Sequence, residues 1–296
     1  MNDYAQLHSL SNFSFLRSAS HPQELVEQAY LLGYSAIAIT DECSFAGIVK
    51  AHVRAKELGI KLIIGSEFRM QEGCHLVALA PNRQAYQELS GLITLARRRM
   101  PKGQYQLKLE DLQFRLKNCL IIWMPDIRDE KTEAWANQLQ RTFRGRFWLG
   151  WGRQFQSGES EDLEPIQDLA LSYGIPMLAC PQIKMHHRSV KPLLDVLTGI
   201  RLNQPIQQLG NQLAANAECC LKSLRILKKR YASELLSETL VIADQCHFSL
   251  DELKYQYPQE LVPEGLKPIQ VSTAASRGGG AYSLAAEYSR ARKADS

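Results

Sequence analysis

Residues 33–41, GYSAIAITD, and residues 59–67, GIKLIIGSE, follow one plan: a glycine, a short apolar run and a terminal carboxylate. Residues 174–180, GIPMLAC, repeat the glycine and the apolar run further along the chain. Each apolar run predicts a buried strand, and the glycine before it predicts a helix end, because the left-handed conformation costs glycine little. The three repeats therefore predict a wound α/β architecture.

Further apolar runs extend this pattern over the first 180 residues. They predict six strands, at residues 36–40, 61–66, 75–80, 119–124, 147–151 and 176–180. Apolar residues spaced three and four apart predict helices between them, at residues 21–32, 45–58, 83–99, 131–142 and 162–173. The alternation predicts an α/β fold, in which helices cover a parallel sheet or barrel.

The chain changes character after Cys180. Residues 221–246 contain a long amphipathic segment, and residues 249–267 are acidic, with prolines and aromatics, which is typical of a connector to a neighbouring domain. Residues 272–296 are rich in Ala, Ser and Gly, and cannot bury enough apolar area to offset an ordering entropy of ~1 to 2 kcal/mol per residue. We predict a barrel at 1–200, a helical connector at 201–268 and a disordered tail at 269–296.

Composition limits the class of protein. The chain has 296 residues, 45% of them hydrophobic, with no apolar run of membrane-spanning length and no basic N-terminal region, so we expect a cytoplasmic protein without a membrane partner. Its seven cysteines are scattered and contain no C-x-x-C pair, which predicts buried, reduced thiols rather than disulfides or a zinc ribbon. A net charge of +4 neither demands nor excludes nucleic acid as a partner.

Ligand-type side chains stand at the ends of three predicted strands. His8, Asp41 and Glu67 occupy these positions. Because the carboxyl ends of the strands of an α/β unit converge, this is where a metal site would be built.

Five blocks of sequence carry a family resemblance. They are YAQLHSLSNFSFLRSASHPQELVEQA at 4–29, GYSAIAITDECSFAGIVKAH at 33–52, GIKLIIGSEF at 59–68, MHHRSVKPLLDVLTGIRLNQPI at 185–206 and CHFSLDELKYQYPQELVPEG at 246–265. Their order and spacing resemble the polymerase-and-histidinol-phosphatase (PHP) domain at the N-terminus of bacterial C-family DNA polymerases, above all the error-prone branch. The resemblance covers about residues 4 to 268.

The resemblance implies a distorted (β/α)7 barrel whose strand ends hold a cluster of divalent metals. Such a cluster activates water for phosphoester hydrolysis and can support 3′-5′ exonuclease action. Four residues match ligand positions of the family: His8, Asp41, Glu67 and His75. Five others stand where the family has histidine or aspartate ligands, namely Leu10, Arg17, Glu42, Gln182 and Lys184.

These substitutions predict that a multi-metal cluster is lost. Leu10 has no lone pair to donate, and a fixed cation at Arg17 repels a divalent ion. Our hypothesis is that Lys184 and Arg17 replace the lost metals by pairing with Asp41, Glu42 or Glu67. The alternative is a single remaining ion, manganese or zinc, on the four vestigial ligands.

A basic cluster gives a second candidate site. Arg97, Arg98, Arg99 and Lys102 could contact a DNA backbone, although a solvated helix end explains the same residues and is the interpretation we prefer. The adjacent His186 and His187 are not expected to share an ion, and the strand tryptophans are expected in the core.

The resemblance implies a fragment of an error-prone DNA polymerase that acts in damage-induced mutagenesis and translesion synthesis. The polymerase core, with its magnesium-binding acidic residues, has no counterpart in this sequence, so we do not expect this chain to polymerise DNA by itself. Three hypotheses follow: a structural scaffold that buttresses the polymerase core; a residual metal-dependent phosphoesterase or 3′-5′ exonuclease; and a stand-alone module that binds DNA or other proteins of a mutagenesis complex.

Overall fold

A computed structural model of the chain describes residues 4–70, 72–153, 155 and 162–253. Its strands are β1 Ala5–Gln6, β2 Ala36–Ile39, β3 Lys61–Arg69, β4 His75–Leu79, β5 Leu120–Trp123, β6 Phe147–Trp151 and β7 Met177–Ala179. The described α-helices are α1 Pro22–Leu31, α2 Ile48–Leu58, α3 Arg83–Arg98, α4 Leu109–Arg115, α5 Thr132–Thr142, α6 Leu163–Tyr173, α7 Lys191–Leu202, α8 Leu224–Arg230 and α9 Ser233–Gln245. All six predicted strands are present, and the predicted tail lies outside the described residues.

The seven strands form one curled sheet in sequence order, and the (β/α) barrel architecture is confirmed. The sheet is parallel except at β4, which runs antiparallel to both β3 and β5. This reversal corrects the expectation of a wholly parallel sheet. Residues 70–74 join β3 to β4 directly, and a parallel crossover needs a dozen or more residues.

The first and last strands meet at one end of the barrel. Ser9 and Ile183, which follow β1 and β7, form a parallel bridge in which Ile183 N donates to His8 O over 3.0 Å. The side-chain amide of Gln6 also donates to Pro181 O over 2.8 Å. The strand ends that carry the ligand-type residues are therefore drawn into one ring, which we call the barrel mouth.

Apolar side chains fill the inside of the barrel. Ala38, Ile63 and Ile122 belong to this interior cluster, and the opposite side of the sheet packs against the surrounding helices. Helix α9 adds Ile242 and Ala243 to the interior cluster, and Ala5 N donates to Thr239 Oγ1 over 3.1 Å. This helix belongs to the segment predicted as a connector, and it closes the barrel at the end opposite the mouth, which we call the floor.

Helix ends and cysteines follow the sequence closely. Gly59 and Gly174 are the C-caps of α2 and α6, with φ of 73° and 61°, and Gly33, with φ of 75°, follows the cap of α1. All seven cysteines are free and buried, which confirms that prediction. In the part of the chain that the structure describes, no helix is long and apolar enough to cross a membrane.

Candidate functional site at the barrel mouth

Three strands bring three possible metal ligands together at the mouth. His8 follows β1, and Glu67 lies near the carboxyl end of β3. His75 is the first residue of β4, and because β4 is antiparallel its first residue lies beside the last residue of β3, Arg69. One ligand atom from each of His8, Glu67 and His75 lies within 4.8 Å of the others.

Glu67 is the centre of this arrangement and is fully buried. His8 Nε2 lies 2.6 Å from Glu67 Oε2, whereas His75 Nε2 lies 3.2 Å from Oε1 without the alignment of a hydrogen bond. Burial alone would raise the pKa of Glu67, but His75 and His8 together hold it well below its usual range. Burial lowers the pKa of His75 to about 4, against the opposing effect of Glu67. The two histidines therefore favour the ionised form of Glu67, whereas burial favours the neutral form of His75.

Two more donors occupy the same carboxylate. Gln182 Nε2 donates to Glu67 Oε2 over 2.7 Å, and Arg69 Nε donates to Oε1 over 2.6 Å. Gln182, for which the resemblance implied a lost ligand, thus binds Glu67, for which it implied a retained one. Arg69 was not predicted as a site residue, although its spacing gives a signal: two residues beyond Glu67 on a strand, it shares the same face of the sheet.

Asp41, which the resemblance implied as a further ligand, is not in the group formed by His8, Glu67 and His75. Its two oxygens accept hydrogen bonds from Ser11 N, Ser11 Oγ and Ser14 Oγ at 2.7 to 2.8 Å. Burial raises the pKa of Asp41, although these hydrogen bonds act in the opposite direction. Asp41 therefore anchors the loop after β1 and is not among the grouped ligand atoms.

Glu42 is held by a second network at the rim of the mouth. Arg17 Nε lies 2.7 Å from Glu42 Oε2, and Tyr105 OH donates to Oε1 over 3.0 Å. This is the pairing that our hypothesis foresaw for Arg17. Leu10, one of the substituted positions that the resemblance implied, is buried and 1% exposed.

The hypothesis is wrong for Lys184. Within the described ranges, no carboxylate lies within ion-pair distance of its ammonium group. The cation that pairs with Glu67 is Arg69, because Arg69 projects from the same face of β3. Burial lowers the pKa of Lys184, against the opposing effects of Cys219 and Glu67, while Arg69 and Arg17 act in the same direction as burial.

Among the residues that the structure describes, one group of side chains could hold a divalent ion, namely His8, Glu67 and His75. Two imidazoles and a carboxylate are a common ligand set for zinc and related ions. His8 Nδ1 and His75 Nε2 are also buried nitrogens without a hydrogen-bond partner among the described residues. Against this, Arg69 and Gln182 occupy the oxygens that an ion would need.

The basic cluster of α3 is largely committed within the chain. Arg97 donates to the backbone oxygens of Glu42 and Cys43 at 3.0 and 3.1 Å, and Arg99 forms a two-point ion pair with Asp111. Two of the four DNA-contact candidates therefore have structural partners. The other two, Arg98 and Lys102, are exposed, and their contact with DNA stays a prediction.

The histidine and tryptophan expectations agree with the structure. His186 Nδ1 lies 2.8 Å from Ser20 Oγ and His187 Nδ1 lies 2.8 Å from Ser189 Oγ, so the two rings bind different groups. Trp148 and Trp151 are 5% and 6% exposed, which places both in the core.

A polar cleft of about 730 Å³ opens from the mouth. Glu67 and Gln182 lie at its base, and α7 and the loop at residues 210–215 form its far wall. The sequence patterns did not predict this cleft, because its far wall is formed by residues after position 190, which are distant in sequence from Glu67.

Comparisons with known sequences agree on a family. Residues 6–146 match the sequence profile of the PHP domain. The error-prone DNA polymerase of Teredinibacter turnerae is 54% identical over 266 residues, which are 90% of this chain and 26% of that polymerase. The corresponding enzymes of Saccharophagus degradans and Pseudomonas aeruginosa are 53% and 45% identical, again over 90% of this chain and 26% of their own length. The chain spans about a quarter of the length of these curated relatives.

Two solved structures are similar over part of the chain. An amidohydrolase from Chromobacterium violaceum has a TM-score of 0.49 at 15% identity and covers 62% of this chain and 88% of its own. A protein assigned as a metal-dependent phosphoesterase from Bifidobacterium adolescentis has a TM-score of 0.44 at 16% identity, with 60% and 86% covered. The sequence comparisons carry the likeness: residues 6–146 are similar to the PHP domain, and 90% of the chain is similar to bacterial error-prone DNA polymerases.

Proposed function

We propose that this chain is a structural PHP module of an error-prone DNA polymerase, and that it buttresses the polymerase core during damage-induced translesion synthesis. In this role the barrel mouth holds itself together with protein donors and does not need a metal cluster. DNA and the polymerase core are then the partners of the intact protein. The observation that supports the proposal best is the occupation of Glu67 by Arg69 and Gln182.

The physical reasoning concerns how a buried carboxylate is compensated. In a metal centre the cations neutralise the acidic ligands, and a buried charge without such compensation is strongly destabilising. Here Arg69 supplies the positive charge and Gln182 an additional donor to Glu67, while Arg17 compensates Glu42. The carboxylates of the mouth are therefore satisfied without any ion.

Metal analysis tests the first half of the proposal. We expect the purified 296-residue chain to hold well below one equivalent of zinc or manganese, and its thermal unfolding to be unchanged by a chelator. Stoichiometric metal whose removal lowers the melting temperature would refute the metal-independent scaffold.

A chimera tests the second half. Residues 1–268 would replace the matching quarter of the Teredinibacter turnerae polymerase, and primer extension over an abasic site would be measured beside thermal stability. Glu67→Ala should reduce both together, whereas His75→Asn, which leaves the two nearest donors of Glu67 in place, should reduce neither by much. Loss of extension in His75→Asn without loss of stability would contradict a structural role.

The second candidate function is a residual metal-dependent phosphoesterase or 3′-5′ exonuclease. The unpartnered nitrogens His8 Nδ1 and His75 Nε2 favour it, because free imidazole nitrogens are what an ion would bind. His8, Glu67 and His75 would hold the ion, and a bound ion would supply an activated water for phosphoester hydrolysis. Arg69 lies beside Glu67, where it could bind the substrate's phosphate oxygens.

An exonuclease assay separates the two candidates. Manganese-dependent release of nucleotides from a 3′ end, abolished in His75→Asn and retained in Lys117→Gln, would support the enzyme. Absence of release at saturating manganese, with the chain folded, would support the scaffold.

A further inference from the structure

Helix α7 is apolar on two sides. On its inner side, Leu194 is buried in a small apolar cluster that also contains Met185. On its outer side, three large apolar side chains are between 42% and 60% exposed, namely Leu193, Val196 and Ile200. Residues three and four apart lie on one face of a helix, so these three form a continuous row, which we call the outer strip.

The outer strip lies apart from the charged residues of α7. Lys191 Nζ lies 2.6 Å from Asp195 Oδ1, and both Lys191 and Arg201 line the cleft. The other described helices each expose at most two large apolar side chains, whereas α7 exposes three. A helix that is apolar on both sides is normally buried, and an exposed strip of this kind is typical of a surface that another protein surface covers.

The length of the relatives favours one occupant of the strip. This chain spans about a quarter of the error-prone polymerases that it matches, so three quarters of each relative is protein that this chain does not contain. A second copy of this chain would add only three large apolar side chains, whereas a specific interface takes about 20 to 30 residues a side. A polymerase core on the same polypeptide needs less contact area, because the covalent link raises its effective concentration.

We propose that the outer strip of α7 is the surface on which the polymerase core packs. The inference rests on the proposed scaffold role and names its contact surface. Arg188, just before α7, and Arg201, near its end, are both exposed. Interfaces combine an apolar centre with a polar rim, so the core should present an apolar groove with carboxylates at its edge. Because α7 also forms the far wall of the cleft, this contact would fix that wall.

Thiol labelling tests the contact. Val196→Cys would be made in the 296-residue chain and in the Teredinibacter turnerae chimera that carries residues 1–268. We expect a maleimide to label this thiol at least about tenfold more slowly in the chimera, since a covered thiol reacts only when the contact opens. The seven native cysteines are buried, and labelling of the two parent proteins gives their own rate. Circular dichroism would establish that each variant is folded.

Val241 provides a matched control at the floor. It is also a valine within a helix, and it is 48% exposed. Val241→Cys should be labelled at similar rates in the two proteins. The proposal is overturned if Val196→Cys is labelled equally fast in both, or if the chimera protects both thiols to the same extent. Slow labelling of Val196→Cys already in the 296-residue chain would also overturn it, and a dimer in sedimentation velocity would then identify a second copy as the occupant.

A charge placed on the strip provides a second test. Ile200→Lys should leave the melting temperature of the 296-residue chain nearly unchanged, because the position is exposed and a cation near the C-terminus of a helix is favourable. In the chimera it should lower both the melting temperature and primer extension on an undamaged template, since the contact would bury an unpaired charge. An unchanged chimera would contradict the contact.

Glu67→Ala and His75→Asn in the same chimera separate this inference from the scaffold role. If Glu67→Ala reduces extension and stability together while Val196→Cys stays reactive, the scaffold role holds and the contact through α7 is wrong. If Val196→Cys is protected while His75→Asn abolishes extension without loss of stability, the contact holds and the structural role is wrong.

Discussion

The two ends of the barrel are filled by different kinds of interaction. At the floor, Ile242 and Ala243 of α9 join an apolar cluster. At the mouth, Gln182, His8 and Arg69 all contact the buried carboxylate of Glu67. Apolar packing tolerates changes that preserve volume, whereas a buried polar network depends on all its members. The difference teaches that side-chain hydrogen bonds and ion pairs hold the mouth, whereas apolar contacts hold the floor.

Loss of the central carboxylate should have the largest effect. Glu67→Ala leaves Arg69, His8 and Gln182 without their common acceptor, and breaking a buried ion pair costs about 3 to 5 kcal/mol. We expect a loss of this size in the free energy of unfolding, measured by urea denaturation. Glu133→Ala, at an exposed position of α5, is the control and should change it by less than about 0.5 kcal/mol.

An equal and small loss in both variants would show that Glu67 is not compensated by protein donors. A loss that appears only after chelation would assign the compensation to a metal. Either result would contradict the view that protein side chains alone stabilise the mouth.

The floor should respond to cavity formation. Ile242 is fully buried on α9, and truncation of a buried isoleucine to alanine costs about 2 to 5 kcal/mol. We expect Ile242→Ala to lower the free energy of unfolding by about 3 kcal/mol, near the middle of that range. The neighbouring Val241 is 48% exposed, so Val241→Ala should have little effect in the same urea titration.

Unlike Glu67→Ala, the floor variant should be insensitive to pH, because it exposes no titratable group. A minimal cost for Ile242→Ala would mean that α9 is a loosely attached connector, as the sequence suggested, rather than the closure of the barrel.

Acid should weaken the mouth specifically. The pKa of His75 is about 4 in the folded state and ordinarily 6.5, so the folded protein disfavours its protonation. Stability is then full above pH 6.5 and falls as the pH drops towards 4, by up to about 3 kcal/mol at 1.36 kcal/mol per pKa unit. Glu67, whose pKa is lowered, adds a loss below its ordinary pKa of 4.5.

The variant His75→Asn isolates the histidine contribution. It should flatten the fall in unfolding free energy between pH 6.5 and 4 relative to the parent chain, measured at several pH values. The raised pKa of Asp41 acts in the opposite sense in both proteins and so cancels in the comparison. An unchanged pH slope would place the acid sensitivity elsewhere.

The fold was predictable because its signals are local. Apolar runs and glycine caps identify six of the seven strands, and β1 was missed because it contains only two residues, Ala5–Gln6. The antiparallel direction of β4 follows from its short connection to β3, and the pattern of apolar runs does not give the direction of a strand. Helix α9 has an apolar face in the sequence, but a periodic pattern does not say which surface the face will cover.

The site was less predictable because it depends on side-chain direction. Of the three residues predicted at strand ends, His8 and Glu67 converge and Asp41 turns to Ser11 and Ser14, whereas His75, which only the resemblance implied, joins the pair through the reversal of β4. Hydrogen bonds from the loop after β1 fix the direction of the Asp41 side chain, and the spacing of residues in the sequence does not predict such bonds. The position of Arg201 was also not predictable, because α7 is distant in sequence from the strand ends and lines the cleft only in the folded barrel.

The smallest effect should come from the rim of the mouth. Arg17 is 44% exposed at its side chain, so its ion pair with Glu42 is partly screened by solvent, and we expect Arg17→Gln to cost about 1 kcal/mol or less. Glu42 keeps the hydrogen bond from Tyr105 in this variant. Thermal unfolding at low and high salt measures the effect, with Arg54→Gln as the control, which breaks the pairs of Arg54 with Glu57 on α2 and Glu27 on α1. If Arg17→Gln costs as much as Glu67→Ala, the charge network extends from the rim to the centre of the mouth, whereas a small, salt-sensitive cost confines the buried network to Glu67.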